Sequence, residues 1–151
     1  MKRRRLLQTA AGLGALVVLR PVAAAPAPAP SPVLDVLVQG FANNQPVGTG
    51  RVKLGISPLI ENGNAAPLTV TVDSPMTAAD HVKRIAIFNE KNPERDVAIF
   101  TLGPRAGRAS VSTRMRLATS QRLVAVAELS DGSFWQDRAD VIVTLAACIE
   151  E

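Results

Sequence analysis

The sequence predicts an all-β fold, an immunoglobulin-like antiparallel β-sandwich of about seven strands. The first reason is that short apolar runs alternate with polar residues, which is the pattern of strands with one buried face. The second is that clusters rich in glycine, proline, asparagine and serine interrupt these runs at intervals of roughly ten to fifteen residues. The third is that no segment shows the periodicity of a convincing amphipathic helix. The chain lacks the cysteine pair and the tyrosine of true immunoglobulin domains, so the name describes architecture only.

The strand pattern is clearest where apolar and polar side chains alternate without a break. In the segment 110–117, Val111, Met115 and Leu117 share one face, while Arg114 and Arg116 share the other. The segment 33–41 is either a short helix or a first strand. The predicted strands are 52–56, 68–72, 81–90, 97–102, 110–117, 123–129 and a last strand that ends at Leu145.

The first 25 residues are typical of a cleaved signal peptide. A basic start, Met1-Lys2-Arg3-Arg4-Arg5, precedes an apolar run from Leu6 to Leu19, and Ala23-Ala24-Ala25 offers a cleavage site. The apolar run is too short to span a bilayer comfortably, so no membrane attachment is expected after cleavage. The adjacent arginines favour the twin-arginine route, with the general secretory route as the alternative.

The net charge of the mature chain excludes an electrostatic case for nucleic-acid binding. The full sequence has 17 Lys and Arg against 13 Asp and Glu, but five of the basic residues lie in the leader. The mature chain therefore has 12 basic and 13 acidic residues, a net charge of −1. No basic patch interleaved with aromatic residues is present, so no nucleic-acid partner is predicted.

The mature length of about 125 residues suits a single domain with one core. Residues 26–32 form a Pro/Ala-rich spacer that is expected to be extended and unpaired. Residues 33–145 are assigned to the sandwich and residues 146–151 to a C-terminal arm.

Cys148 in this arm is the one cysteine of the sequence, so the chain cannot form an internal disulfide. A lone cysteine in an exported protein is either paired with another molecule or chemically used. Because an extended residue adds at most about 3.3 to 3.6 Å, the thiol could lie roughly 10 Å beyond Leu145 on a tether. The alternative is a small apolar side chain buried at the end of a strand.

Other catalytic or metal-binding patterns are missing from the sequence. His81 is the sole histidine, without a second ligand at metal-binding spacing, and is interpreted as an ordinary strand residue near a turn. There is no haem attachment motif, nucleophile elbow or glycine-rich phosphate loop. We therefore predict no metal, no cofactor and no enzymatic activity of the chain itself.

Several blocks of sequence occur in order along most of the mature chain: Glu61-Asn62-Gly63, Val72-Asp73-Ser74-Pro75-Met76-Thr77, Val82-Lys83-Arg84-Ile85, Glu90-Lys91-Asn92-Pro93, Ser112-Thr113-Arg114-Met115-Arg116-Leu117-Ala118, Ser120-Gln121 and Val126-Ala127-Glu128-Leu129-Ser130-Asp131-Gly132-Ser133. Together these blocks resemble the SoxY family, the sulfur-carrier subunits of the periplasmic thiosulfate-oxidising Sox system.

This resemblance implies a periplasmic immunoglobulin-like sandwich that forms a heterodimer with a SoxZ subunit. It also implies that Cys148 bears sulfur intermediates covalently. Sox enzymes would join thiosulfate to the cysteine, hydrolyse off sulfate and oxidise the remaining sulfane sulfur, so the carrier performs none of these steps.

The arm departs from the family pattern, which is Gly-Gly-Cys-Gly-Gly. This chain has Ala146-Ala147-Cys148-Ile149-Glu150-Glu151, whose alanines restrict the backbone. The glutamates and the terminal carboxylate are expected to raise the pKa of the Cys148 thiol and to repel anionic thiosulfate. Two functions therefore remain open: a covalent sulfur carrier, or a SoxY-like interaction domain that has lost the carrier chemistry.

Overall fold

The computed structural model describes residues 30–147. The predicted signal peptide 1–25, residues 26–29 of the predicted spacer, and Cys148 with the rest of the tail lie outside the described residues.

Within residues 30–147 the chain forms one α-helix, nine strands and two short 3₁₀ turns. The elements are α1 (Pro32–Phe41), β1 (Val47–Thr49), β2 (Val52–Ile56), β3 (Leu59–Asn62), β4 (Ala66–Val72), β5 (Val82–Asn89), β6 (Asp96–Thr101), β7 (Ser110–Met115), β8 (Gln121–Leu129) and β9 (Phe134–Leu145), with 3₁₀ turns at Gly63–Ala65 and Pro104–Ala106.

The strands form two sheets, which confirms the predicted sandwich. The smaller sheet has the order β2-β4-β7. The larger sheet has the order β1-β9-β8-β5-β6, and β3 also pairs with β9. The strand β9 organises this sheet because it is 12 residues long and pairs with three others.

The sandwich is not antiparallel throughout, because two short strands pair with β9 in parallel. The strands β1 and β3 both run parallel to β9, with Val47 opposite Phe134 and Leu59 opposite Ile142. The strand β1 pairs with the first residues of β9, and β2 then lies in the smaller sheet. The chain returns to the larger sheet as β3, which pairs with the last residues of β9. Alternation of apolar residues carries no information on strand direction, so the sequence could not show this.

The main core lies between the two sheets, where alternate residues of facing strands point inward. Apolar side chains of this kind stabilise the fold roughly in proportion to the area they bury, at about 25 cal/mol per Å². The fully buried members on the larger sheet and its loops are Val82, Ile85, Ile87, Leu117, Leu123, Ala125, Ala127 and Leu129, and they meet Leu54, Leu68, Val70 and Val72 of the smaller sheet.

The segment 33–41, left open between helix and strand, is a helix. Pro32 lies in its first turn, where the backbone N–H that proline lacks would have no partner within the helix. The positive end of the helix dipole stabilises the carboxylate of Asp35 in the same turn. Leu34 and Val38, one turn apart, are buried against the outer face of the larger sheet. This second core explains why every residue of β8 is buried.

Ser31 and Pro32, the last two residues of the predicted spacer, belong to the folded domain. The hydroxyl of Ser31 is buried and donates a hydrogen bond to Oε1 of Glu90 at 2.6 Å. Pro32 then starts the helix, because its fixed φ suits the first helical position.

Candidate functional site

The strand β9 leads directly into the tail that carries Cys148. Ala146 and Ala147 follow its last residue, Leu145, and are the last residues that the structure describes. Ala147 is only 5 % exposed, and its backbone N–H donates to the carbonyl of Leu117 at 3.1 Å. The start of the arm is therefore held against the domain two residues beyond the end of β9.

Gly63 completes this attachment from the opposite side. Its carbonyl accepts a hydrogen bond from the N–H of Leu117 at 2.8 Å. A Cβ atom at Gly63 would lie 2.5 Å from the carbonyl oxygen of Leu117 and 2.9 Å from the backbone nitrogen of Ala147. Both neighbours are backbone atoms that cannot rotate away, so only glycine fits here. We call Gly63, Leu117 and Ala147 the backbone clamp.

The last residues of β9 before the clamp form hydrogen bonds on both sides of the strand. On one side the N–H of Ile142 donates to the carbonyl of Pro58 at 2.8 Å, and the hydroxyl of Thr144 donates to the carbonyl of Glu61 at 3.1 Å. On the other side the N–H of Val143 donates to Oγ of Ser120 at 2.9 Å. The strand is thus fixed up to the point where the arm begins.

The connection between β7 and β8, which contains Leu117, is held by Asn92. The side chain of Asn92 donates to the carbonyl of Arg116 at 2.7 Å. Its oxygen accepts hydrogen bonds from the N–H of Ala118 at 3.0 Å and from the amide of Gln121 at 2.7 Å. Because Leu117 lies between two of these partners, the carbonyl that receives Ala147 is well fixed.

An exposed apolar surface borders the start of the arm. Leu59 on β3 and Ile142 on β9 lie opposite each other in the parallel pair, and they are 51 % and 61 % exposed. Leu145, at the end of β9, is also 61 % exposed. Large apolar side chains next to each other at a surface are typical of a protein contact site.

Two groups of ion pairs lie on the outer face of the larger sheet. Glu128 accepts hydrogen bonds from Lys83 and Arg84, both at 2.6 Å. Burial acts to raise the pKa of Glu128, but these two cations outweigh it and hold the pKa below its ordinary value. Arg122 lowers the pKa of Asp140 through paired hydrogen bonds at 2.7 and 2.9 Å.

Comparison with protein families matches residues 38–148 to the family described as "Sulfur oxidation protein SoxY". The chain belongs to the SoxY family. The match covers most of the sequence and ends at Cys148, the residue that follows the backbone clamp. Comparison with curated proteins found no match.

Solved structures with similar folds include a SoxY-family protein, "the sulfur carrier protein SoxY from Chlorobium limicola f thiosulfatophilum". It is 28 % identical, with a TM-score of 0.62, over 75 % of this chain and 97 % of that one. A superoxide reductase (neelaredoxin) from Ignicoccus hospitalis is 16 % identical, with a TM-score of 0.57, over 69 % and 97 % of the two chains. A superoxide reductase from Nanoarchaeum equitans is 12 % identical, with a TM-score of 0.54, over 63 % and 99 %. At these low identities the two reductases show a shared fold alone.

No group of three or more potential metal ligands occurs within residues 30–147 of this SoxY-family chain. The ring Nδ1 of His81 lies 3.1 Å from the carbonyl oxygen of Thr77, next to the start of β5. In the same range, no helix is long and apolar enough to cross a membrane. Every buried side-chain nitrogen and oxygen of that part has a hydrogen-bond partner, so no orphaned polar atom marks another site.

Cys148 stands out in the sequence, whereas the clamp that precedes it does not. Cys148 lies outside the described residues, so its role stays a prediction. In the sequence, Gly63 lies in the cluster Glu61-Asn62-Gly63-Asn64, which is typical of a turn. The one sequence signal for the clamp is that Gly63 lies in a block that resembles the SoxY family.

Proposed function

We propose that this SoxY-family protein carries sulfur intermediates covalently on Cys148 while partner enzymes process them. The observation that carries the proposal is that the family match runs through the fold and reaches Cys148. The SoxY protein of Chlorobium limicola, 28 % identical, is itself described as a sulfur carrier.

The chemistry of loading fits a carrier that depends on other enzymes. Joining the Cys148 thiolate to the sulfane sulfur of thiosulfate forms one S–S bond and releases two electrons, which a partner enzyme must accept. A free thiol with a pKa near 8.5 is only a few per cent thiolate at neutral pH. Activation of the thiol is therefore assigned to the partner enzyme.

The second candidate is an interaction domain that keeps the SoxY fold without the carrier chemistry. The observation that favours it is the burial of Ala147, which holds the arm to the domain where the family pattern has glycine. Ile149, Glu150 and Glu151 add bulk and negative charge beside the thiol in the sequence.

Protein isolated from the periplasm of thiosulfate-grown cells is expected to carry a sulfur adduct on Cys148. Intact-mass measurement should show species heavier than the mature chain by added sulfur or sulfonate, and reduction with a thiol reagent should remove them. The same spectrum gives the mass of the chain after loss of residues 1–25, which tests export. The proposal rests on a thiol, so Cys148→Ser should show no adduct.

An unmodified Cys148 thiol in wild-type protein from such cells, with the partner enzymes present and active, would contradict the carrier and favour the interaction domain. Cys148→Ser keeps the size of the side chain, so a change in folding is not expected to confuse the comparison.

We further propose that the chain forms a heterodimer with a SoxZ-like subunit through the apolar surface at Leu59 and Ile142. The surface lies on β3 and β9, and β9 is the strand that leads to the arm. Ile142→Lys is expected to weaken the complex by 10-fold or more, since a charge in the centre of an apolar contact stays unpaired.

Co-expression of the two subunits followed by size-exclusion chromatography and titration measures this effect. Ile99→Lys is the matched control, because Ile99 is 56 % exposed on the edge strand β6, away from β3 and β9. Equal weakening by both substitutions, or by neither, would place the contact elsewhere.

A further inference from the structure

The structure fixes the arm at Ala147, where the sequence left open a tether or a buried strand end. If the chain left the domain at Leu145, three extended residues would let the sulfur reach roughly 10 Å from the sheet. Ala147 is instead buried and bound to Leu117 through its N–H. Cys148 is the residue directly after this attachment, one step of about 3.3 to 3.6 Å along an extended chain.

We infer that Gly63 is a positioning residue for Cys148, because it lets the backbone clamp fix the pivot of the arm at Ala147. Gly63 does this in two ways: its carbonyl holds the N–H of Leu117, and its missing side chain leaves room for the Leu117 carbonyl and the Ala147 nitrogen. The inference rests on the proposed carrier function for its chemical meaning, but the position of the pivot does not depend on sulfur.

A fixed pivot has a consequence for how the carrier meets its enzymes. A thiol one residue from a rigid attachment explores a small volume, so the enzyme has to approach the domain surface around β3 and the end of β9. Holding a reacting group in a narrow range of positions favours reaction once the partner is docked, while a misplacement of about 1 Å can cost up to 10²-fold in rate.

The steric argument is strong because both close neighbours of Gly63 are main-chain atoms. In Gly63→Ala the new methyl would lie 2.5 Å from the Leu117 oxygen and 3.1 Å from Cγ1 of Val143. The Leu117 carbonyl must move away, and the N–H of Ala147 then loses its acceptor. The arm is left attached only through β9, with its pivot shifted back toward Leu145.

A nitroxide label tests this directly, because Cys148 is the one cysteine of the chain and takes a single label. In Gly63→Ala we expect a faster-moving label, seen as a narrowed electron paramagnetic resonance spectrum at temperatures well below unfolding. Gly55→Ala is the matched control, since its new Cβ would make only an ordinary contact of 3.4 Å with the Thr69 carbonyl.

A second variant keeps the test decisive if Gly63→Ala folds poorly. Ala147→Pro removes the backbone N–H that donates to the Leu117 carbonyl, and it leaves Gly63 unchanged. It should narrow the spectrum to a similar extent, and combining it with Gly63→Ala should add little, because both break the same contact.

A spectrum that stays as broad as that of Gly55→Ala in folded Ala147→Pro and Gly63→Ala would overturn the inference. The label reports on the pivot and the intact mass reports on sulfur loading. A faster-moving label in the two variants, with no adduct on the wild-type protein, would therefore refute the carrier and keep the pivot. Adducts on the wild-type protein, with an unchanged label in the variants, would support the carrier and refute the pivot.

Discussion

Leu34→Asp is expected to destabilise the folded protein by about 4 kcal/mol or more. Leu34 is fully buried between helix α1 and the outer face of the larger sheet, where its neighbours are apolar. Removing a buried leucine side chain costs about 2 to 5 kcal/mol, and the new carboxylate would lose its hydration without a guaranteed partner. Urea unfolding followed by circular dichroism measures the change in free energy of unfolding.

Val36→Asp is the matched control for this substitution. Val36 lies two residues further along the same helix, is 72 % exposed, and would place its carboxylate in water. A negative charge in the first half of a helix is neutral or slightly favourable, so no loss beyond about 0.5 kcal/mol is expected. Similar stabilities for the two variants would mean that α1 does not pack on the sheet as described.

Whether the segment 33–41 forms a helix or a strand could not be predicted from the sequence alone. The segment 33–41 is short, and its apolar residues do not decide between a helix and a strand. The choice is made by tertiary contacts: Phe88 and Val124 on the sheet accept Leu34 and Val38. Such contacts join residues more than 45 positions apart and leave no local signal.

Most long strands followed from local pattern, and the shortest ones did not. The alternation of segment 68–72 predicts a strand with one buried face, and this segment forms the last five of the seven residues of β4. The strands β1 and β3 have three and four residues and lie among turn-forming residues. They exist because the long strand β9 offers them a free edge, which is a property of the assembled sheet.

The site divides in the same way. Cys148 stands out in the sequence because it is alone, and the family resemblance gives it a role. The attachment of Ala147 could not be predicted, because it depends on Gly63 and Leu117, which are 84 and 30 positions earlier in the chain. A glycine between two asparagines is typical of a turn, and only the folded backbone shows that a close approach also requires it.

Leu117→Ala is expected to lower the free energy of unfolding by about 3 kcal/mol, within the range of 2 to 5 kcal/mol for a buried leucine. The side chain of Leu117 is fully buried in the main core, so its removal leaves a cavity. Leu145→Ala is the matched control, because Leu145 is 61 % exposed and its loss should cost less than about 0.5 kcal/mol. Urea titration of both variants measures the difference.

Leu117 also separates the stability of the domain from the fixing of the arm. Its side chain belongs to the core, whereas its carbonyl belongs to the backbone clamp and survives substitution by alanine. A labelled Leu117→Ala protein should therefore unfold at lower urea and still show the broad spectrum of the wild type below its transition. If the label moved faster in every destabilised variant, mobility at Cys148 would follow global stability, and Gly63 would have no special part in holding the arm.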